Sequence, residues 1–248
     1  GTAQSCQFTV TSISSGVYGV SVNGCTDGTI APSLGASSVQ DLAGNAIAIS
    51  ADGTVALVGA AAYNVPAANT GTARAYKWNS TASRWNRLGT NDADMAGLSG
   101  NAAGTSVALS ADGTVALVGG TPFASNAGIA RAYRWNAATA KWDRLGTNDN
   151  DMAGLSSNVA GYSVAISADG AIALVGAYNY ASGSGTARAY RWNLTASKWD
   201  RMGTNDADMA GLPLDLAGIS VDLSADGTVA LVGAEGFSSS SGTARAYK

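Results

Sequence analysis

The sequence predicts an all-β fold, a β-propeller of about four four-stranded antiparallel blades. Three observations carry this prediction. The motif SADG, followed by an apolar run that ends in VG, begins at Ser50, Ser110, Ser167 and Ser224, so one unit recurs four times. Each complete unit contains four short runs with strand-like composition, bounded by turn residues. No run has the helical period, and four antiparallel strands per repeat are typical of a propeller blade.

Composition agrees with this fold class and excludes several functions. The 248 residues are 46% hydrophobic with 32 glycines, which favours thin strands joined by many turns. Charged residues make up 12% of the chain and the net charge is -3, so the clustered basic surface of a nucleic-acid-binding protein is not expected. No apolar run approaches the roughly 20 residues that span a bilayer.

Residues 1–37 are predicted to form a separate N-terminal segment. The stretch QFTVTSISSGVYGVSVNG indicates two short strands around an SSG turn, and the two cysteines of the chain, Cys6 and Cys25, flank it. We expect a disulfide across this hairpin, which would require an oxidising compartment. Two unrelated buried thiols are the alternative.

Residues 38–248 are predicted to form the repeat domain, in units of about 38–98, 99–155, 156–212 and 213–248. In the second unit the predicted strands are SVALS, TVALVG, GIARAYRWN and AKWDRLG, and the first two meet across a two-residue Asp112-Gly113 turn. TVALV has no polar face, so this strand should be covered on both sides. The loop before the third strand is three residues longer in the first unit, which marks it as a surface loop.

The pattern AGTSVALSADGTVALVGG, followed by a loop and GIARAYRW, resembles the FG-GAP repeat, the blade unit of the integrin α-subunit head. The resemblance covers all four units and implies a propeller that works outside the cell. It departs from the family in two places. The phenylalanine of the FG pair is replaced by alanine in every unit, at Ala43, Ala103, Ala160 and Ala217. The Asp-rich calcium loop of some members is shortened to SADG, so that calcium site is not expected here.

Closure of the ring is an open question at the sequence level. The fourth unit ends at Lys248, before its outer strand. We expect the segment GTIAPSLG, from Gly28, to supply that strand, as N-terminal strands do in many propellers. The alternatives are a fragment of a larger propeller and a strand exchanged between subunits, because an open edge is a template for pairing.

Catalysis is not expected. The chain has no histidine, which removes the usual general base near neutral pH and histidine-ligated zinc. Glu235, the sole glutamate, lies in a variable loop. Repeated aspartates on equivalent loops lack the two different environments that acid–base chemistry requires. We therefore expect a protein that binds or builds, with no cofactor beyond a possible calcium ion.

The loop NDADMAGL and its variant NDNDMAGL repeat three times after the fourth strand. Each carries a pair of aspartates that could serve as calcium ligands, namely Asp92 and Asp94, Asp149 and Asp151, and Asp206 and Asp208. The alternative, which we favour, is structural. Asn and Asp side chains bond the local backbone at the connection between blades, and the following methionine enters the core.

Tryptophans recur in pairs seven residues apart, at Trp78 and Trp85, Trp135 and Trp142, and Trp192 and Trp199. Paired rings beside arginines could form repeated carbohydrate sites. We favour packing across the outer hairpin of each blade, with neighbouring arginines stacked on the rings, because a packing role predicts repetition in every unit.

Two sequons, at Asn79 and Asn193, fall in equivalent turns and would carry glycans in a secreted eukaryotic protein. Together these features predict a non-enzymatic extracellular structural or adhesion module. Its expected partners are other proteins or copies of itself, bound through an open blade edge. A carbohydrate-binding lectin, with sites at the tryptophan and arginine positions, is the alternative.

Overall fold

The computed structural model describes residues 7–14, 17–23, 39–40, 45–64, 69–122, 125–146, 148 and 152–248. The chain divides into two compact units, Gly1–Ser33 and Leu34–Lys248. In the first unit, β1 (Gln7–Ser14) pairs antiparallel with β2 (Val17–Asn23), as the sequence predicts. Cys6 and Cys25 lie outside the described residues, so their disulfide stays a prediction. The segment GTIAPSLG also lies outside them.

The second unit consists of four consecutive antiparallel sheets, here called blades 1 to 4. Blade 1 contains β3 (Val39–Gln40), β4 (Ala46–Ile49), β5 (Val55–Ala60), β6 (Thr72–Asn79) and β7 (Arg84–Leu88). Blade 2 contains β8 (Ala103–Leu109), β9 (Val115–Gly120), β10 (Ile129–Asn136) and β11 (Lys141–Leu145). Blade 3 contains β12 (Ser163–Ile166), β13 (Ile172–Ala177), β14 (Thr186–Asn193) and β15 (Lys198–Met202). Blade 4 contains β16 (Ala217–Leu223), β17 (Ala230–Ala234) and β18 (Thr243–Tyr247), with the short helix α1 (Phe237–Ser240) before β18.

The strand order within each blade follows the chain, so every blade is an antiparallel meander. This order and the stacking of successive sheets give the chain a β-propeller-like fold, which confirms the predicted fold class at that level. The second strand of blades 2 and 3 is buried along its whole length, as its lack of a polar face predicts. No helix in the described part of the chain is long and apolar enough to cross a membrane.

The turn between the first two strands differs from the predicted two-residue type. In blade 2 the N–H of Ser110 donates to the carbonyl of Val115 at 2.8 Å, so four residues separate the paired ends. The Ser110 hydroxyl donates to Asp112 at 2.7 Å, and the N–H of Thr114 donates to the same carboxylate at 2.9 Å. Gly113 adopts a φ of +71°, which glycine tolerates without strain. The aspartate therefore organises a wider turn through its side chain.

The core lies between successive blades. Three buried apolar clusters join blade 1 to blade 2, blade 2 to blade 3, and blade 3 to blade 4. Small alanines and larger residues from neighbouring sheets share these clusters; one of them, for example, contains Leu117, Ala130 and Ala132 of blade 2 with Val164 and Val175 of blade 3. This alternation brings the sheets close together. The stability of the array therefore comes from interfaces between neighbours, as in other repeat proteins.

The two outermost blades differ from the inner ones. Blade 1 has an additional strand, β3, which pairs with β4 along the edge that does not pair with β5. Blade 4 has three strands in the described chain, as the repeat length predicts, so the outer edge of β18 has no partner strand there. Extensive packing between sheets links only consecutive blades among the described residues. Within those residues, one face of blade 1 and one face of blade 4 consequently contact no other blade.

Candidate functional site

The first aspartate of the repeated acidic loop is held by two arginines of its own blade. Arg74 Nε on β6 donates to Asp92 Oδ1 at 2.8 Å, and Arg87 on β7 forms a second ion pair with the same oxygen. The Thr72 hydroxyl donates to the backbone carbonyl of Asp92 at 2.7 Å. The hydrogen bond from Arg74 holds the pKa of the Asp92 carboxyl below its ordinary value, and Arg87 adds to the effect.

Blade 3 repeats this arrangement. Arg188 Nε donates to Asp206 Oδ1 at 2.6 Å, and Arg201 lies 2.7 Å from the same oxygen. Burial acts to raise the pKa of Asp206, but the hydrogen bond and charge of Arg188, with Arg201, outweigh it and the pKa falls below its ordinary value. Arg188, Arg201 and Asp206 therefore connect the third strand, the fourth strand and the loop that leads to the next blade.

Each of three third-strand arginines also lies near an aromatic ring of the variable loop. The guanidinium carbon of Arg74 is 4.3 Å from the ring centre of Tyr63, and that of Arg188 is 6.0 Å from Tyr180. Arg245 in blade 4 lies 5.4 Å from Phe237 and pairs with Asp215 at 3.0 Å. These contacts have cation–π geometry. Sequence reasoning expected the tryptophans to be the stacking partners of Arg74 and Arg188, or of Arg87 and Arg201, and it missed the loop aromatics, whose spacing from the arginine varies with loop length.

The arginine contacts make two of the predicted calcium ligands less suitable for binding a cation. Asp92 and Asp206 already have arginine partners, so they offer less negative charge to a cation. Asp149 and Asp151 lie outside the described residues. Within the ranges that the structure describes, no group of three or more His, Cys, Asp or Glu side chains could hold a metal ion. The methionines that follow the aspartates point inward, since Met95 and Met152 are buried and Met209 packs against the core. Calcium binding by Asp94 or Asp208 remains a prediction.

The tryptophans of each pair sit directly opposite one another on the last two strands of a blade. The ring centres are 5.6 Å apart for Trp78 and Trp85, and the other two pairs have 5.7 and 5.5 Å, all with tilted or edge-on planes. This is a favourable geometry for aromatic pairs. In blade 2 the indole N–H of Trp142 donates to the carbonyl of Leu88 in blade 1 at 3.0 Å. The pair therefore packs both within its hairpin and on the preceding blade.

Blade 1 is the exception, because no preceding blade covers its tryptophans in the part of the chain that the structure describes. Trp78 is 39% exposed and Trp85 is 42% exposed, whereas Trp142 and Trp199 are buried. Beside the blade 1 pair lies a cleft of about 410 Å³, lined by Lys77, Trp78, Asn79, Ser80, Asn86, Arg87 and Leu88. One aromatic ring, two asparagine amides and two cations converge here, as such groups do in sites that bind small polar ligands.

The sequon asparagines end the third strands. The Asn79 side-chain oxygen accepts from the N–H of Ala82 at 2.9 Å, and that of Asn193 accepts from Ala196 at 3.0 Å. The Asn193 side-chain nitrogen, to which a glycan would attach, donates to Asp200 at 2.7 Å. Blade 1 has Asn86 at the position of Asp200, so this amide–carboxylate bond is particular to the later blades.

No protein-family model matches the sequence, and no curated protein matches it. Among solved structures, Kuenenia stuttgartiensis hydrazine synthase is similar over 81% of this chain, at 16% identity and a TM-score of 0.44. TolB from Acinetobacter baumannii is similar over 93% of this chain, at 15% identity and a TM-score of 0.43. Chaetomium thermophilum Sqt1, in a structure with the N-terminus of ribosomal protein L10, is similar over 93% of this chain, at 12% identity and a TM-score of 0.42. The match spans 58%, 46% and 50% of those three chains, respectively.

Proposed function

We propose that the chain is a non-enzymatic structural or adhesion module that works outside the cell, as a repeating part of a surface filament or coat. One observation carries this proposal. Among the described residues, the outer edge of β18 in blade 4 is unpaired, whereas the equivalent edges of β10 and β14 are covered by β11 and β15. A free edge of this kind accepts a strand from another chain.

The chemistry of the repeated residues supports a building role. Asp92 and Asp206 hold two arginines each, and the tryptophan pairs hold the outer hairpins. We also propose that the four units belong to the FG-GAP class of propeller repeats. The glycines of its motif, Gly104, Gly161 and Gly218, adopt positive φ values of 92°, 81° and 85° at the contact with the preceding blade.

Completing the fourth blade tests the role of its edge. A variant in which residues 192–202 are repeated after Lys248 would supply a fourth strand, because Lys248 occupies the repeat position of Arg191. We expect the original chain to form polymers visible by electron microscopy and the extended chain to form fewer and shorter ones. Polymers of equal length from both chains would contradict a role for the β18 edge.

The extracellular location has a separate test. Secreted from a eukaryotic host, the chain should carry glycan at Asn79 and Asn193 and should contain no free thiol at Cys6 or Cys25. Mass spectrometry after glycosidase and alkylation treatment measures both. Unmodified asparagines together with two alkylated cysteines would contradict the proposed location.

The exposed tryptophans favour one second candidate, a carbohydrate-binding lectin. Its site would be the cleft beside Trp78 in blade 1, where this ring could stack on a sugar face and Arg87 could bond its hydroxyl groups. A glycan array should then give a ligand whose binding is lost in Trp78→Ala. Trp142→Ala is the matched control, because that ring is buried between blades and its loss should lower stability without removing the ligand.

A further inference from the structure

Successive blades are joined by a ladder of backbone hydrogen bonds at the SADG turns. The N–H of Ala51 donates to the carbonyl of Ala111 at 2.9 Å, Ala111 donates to Ala168 at 2.9 Å, and Ala168 donates to Ala225 at 2.8 Å. In each step the N–H belongs to one blade and the carbonyl to the following blade. At each of the two ends of the ladder, one backbone group has no hydrogen-bond partner of this kind in the described chain. These are the carbonyl of Ala51 on blade 1 and the N–H of Ala225 on blade 4.

Beside the ladder, a side chain of each blade packs on a glycine of the following blade, in the same order as the hydrogen bonds. Val55 packs on Gly113 of the next blade so closely that a Cβ on this glycine would lie 2.7 Å from the Val55 Cβ. Val115 meets Gly170 and Ile172 meets Gly227 in the same way. At the two ends the partners are missing. Val229 on blade 4 is 37% exposed, and the space where a Cβ of Gly53 would lie has no atom within 4 Å.

The open face of blade 4 continues this pattern. Leu57, Leu117 and Leu174 are completely buried against the following blade, whereas Leu231 at the same repeat position is 45% exposed. The hydroxyls of Ser106 and Ser163 donate to carbonyls of the following blade at 2.8 and 2.7 Å. Ser220, the equivalent residue of blade 4, is exposed.

The open face of blade 1 presents the other half of the contact. Ile49 is 45% exposed, whereas Leu109, Ile166 and Leu223 at its repeat position pack against the core shared with the preceding blade. Trp85 on this face is also exposed, whereas Trp142 and Trp199 at its repeat position are buried. Blade 1 therefore exposes the face that contacts a preceding blade elsewhere in the array, and blade 4 exposes the face that contacts a following blade.

We propose that these two faces bind each other between chains, with blade 4 of one copy docked on blade 1 of a second copy. The Ala225 N–H then donates to the Ala51 carbonyl, Val229 enters the space over Gly53, and Leu231 is covered. Because the two surfaces differ, the contact is heterologous and produces rings or filaments. This inference rests on the proposed scaffold role and names the partner, using a blade face where that proposal uses the β18 edge.

One residue departs from the repeat and limits the strength of this contact. Asp222 occupies the position of Ala108 and Ala165, which are buried against the following blade. Docking places its carboxylate in the interface, and a charge buried without an ionic partner weakens association strongly. Asp222 therefore keeps the assembly reversible, and its replacement by alanine restores the repeat sequence and strengthens the contact.

Sedimentation velocity over a range of concentrations tests the proposal. We expect the wild-type chain to associate weakly, and Asp222→Ala to raise the association constant by about tenfold or more. Leu231→Asp and Ile49→Asp, each made in the chain whose fourth blade is completed so that the β18 edge is covered, should be monomeric alone. An equal mixture of these two variants should form dimers and nothing larger, because each still carries one intact face. Leu194→Asp, at an exposed turn leucine, is the matched control and should associate like the wild type.

Three outcomes would overturn the inference. The first is a chain that stays monomeric in both its wild-type and Asp222→Ala forms. The second is a mixture of Leu231→Asp and Ile49→Asp that does not associate although both variants unfold cooperatively. The third is assembly that persists when Leu231→Asp is made in the original chain and disappears when the fourth blade is completed; this result supports the edge-mediated scaffold and contradicts docking through the faces.

Discussion

Leucine at one repeat position offers a direct measure of what a neighbouring blade contributes to stability. Leu174 on β13 is fully buried among Ala165, Ala187 and Val221, in the cluster shared with blade 4. Leu231 occupies the equivalent position on β17, and 45% of it is exposed because no further blade packs on it among the described residues. Replacing each leucine by alanine removes the same atoms from the two environments.

The expected losses differ by more than twofold. Leu174→Ala should lower the free energy of unfolding by about 3–5 kcal/mol, because it leaves a cavity and the small alanines around it have no side chain that can fill the space. Leu231→Ala should cost about 1–2 kcal/mol, because only part of the side chain leaves water on folding and solvent can occupy the vacated space.

Urea unfolding followed by tryptophan fluorescence measures both losses, at concentrations where the chain is monomeric. Far-ultraviolet circular dichroism provides a second probe, which shows whether the blades unfold together. If Leu231→Ala destabilises the chain as much as Leu174→Ala does, the assignment of stability to contacts between blades is wrong.

Two further predictions use the same kind of matched pair, and a third concerns the dependence of stability on pH. Gly113→Ala should lower the melting temperature well below that of Gly53→Ala, because both glycines have a φ of 71° but the new methyl group meets Val55 only at the first; equal shifts would contradict this. Asp206→Asn should cost about 3–5 kcal/mol by leaving the buried Arg188 without its ionic partner. Asp200→Asn, which breaks an exposed pair with Lys198, should cost less than about 1 kcal/mol, and calorimetry should separate the two. The hydrogen bond from Ser224 lowers the pKa of Asp226 to about 2, so its stabilisation is present above pH 4 and is lost as the pH falls through the folded-state pKa; a melting temperature constant from pH 5 to pH 2 would refute this.

The repeat made the strands predictable from sequence. Four units with the same alternation of residues fixed the number of blades and the strands within each, and the burial of Val115–Gly120 follows from its lack of a polar face. The missing outer strand of blade 4 followed from unit length alone. Repetition helps because each unit is an independent instance of the same local pattern.

The contacts that join elements were harder to predict. The role of Asp92 depends on Arg74 and Arg87, which lie on two different strands, so their meeting point requires the register of the sheet. Tyr63 and Arg74 are connected by a loop whose length varies between units. The four-residue turn at Asp112 differed from prediction because side-chain hydrogen bonds, which a two-residue pattern ignores, favour the wider form.

The interface between blades has a consequence for how such a chain can evolve. The same positions meet at every step of the array, as the Ala51, Ala111, Ala168 and Ala225 ladder shows. A gene duplication that inserts one complete unit therefore creates no unfamiliar surface, because the new blade meets each neighbour with a contact already selected. A duplication out of phase with the unit would disrupt these contacts. Families of such proteins should consequently differ in length by whole multiples of one blade.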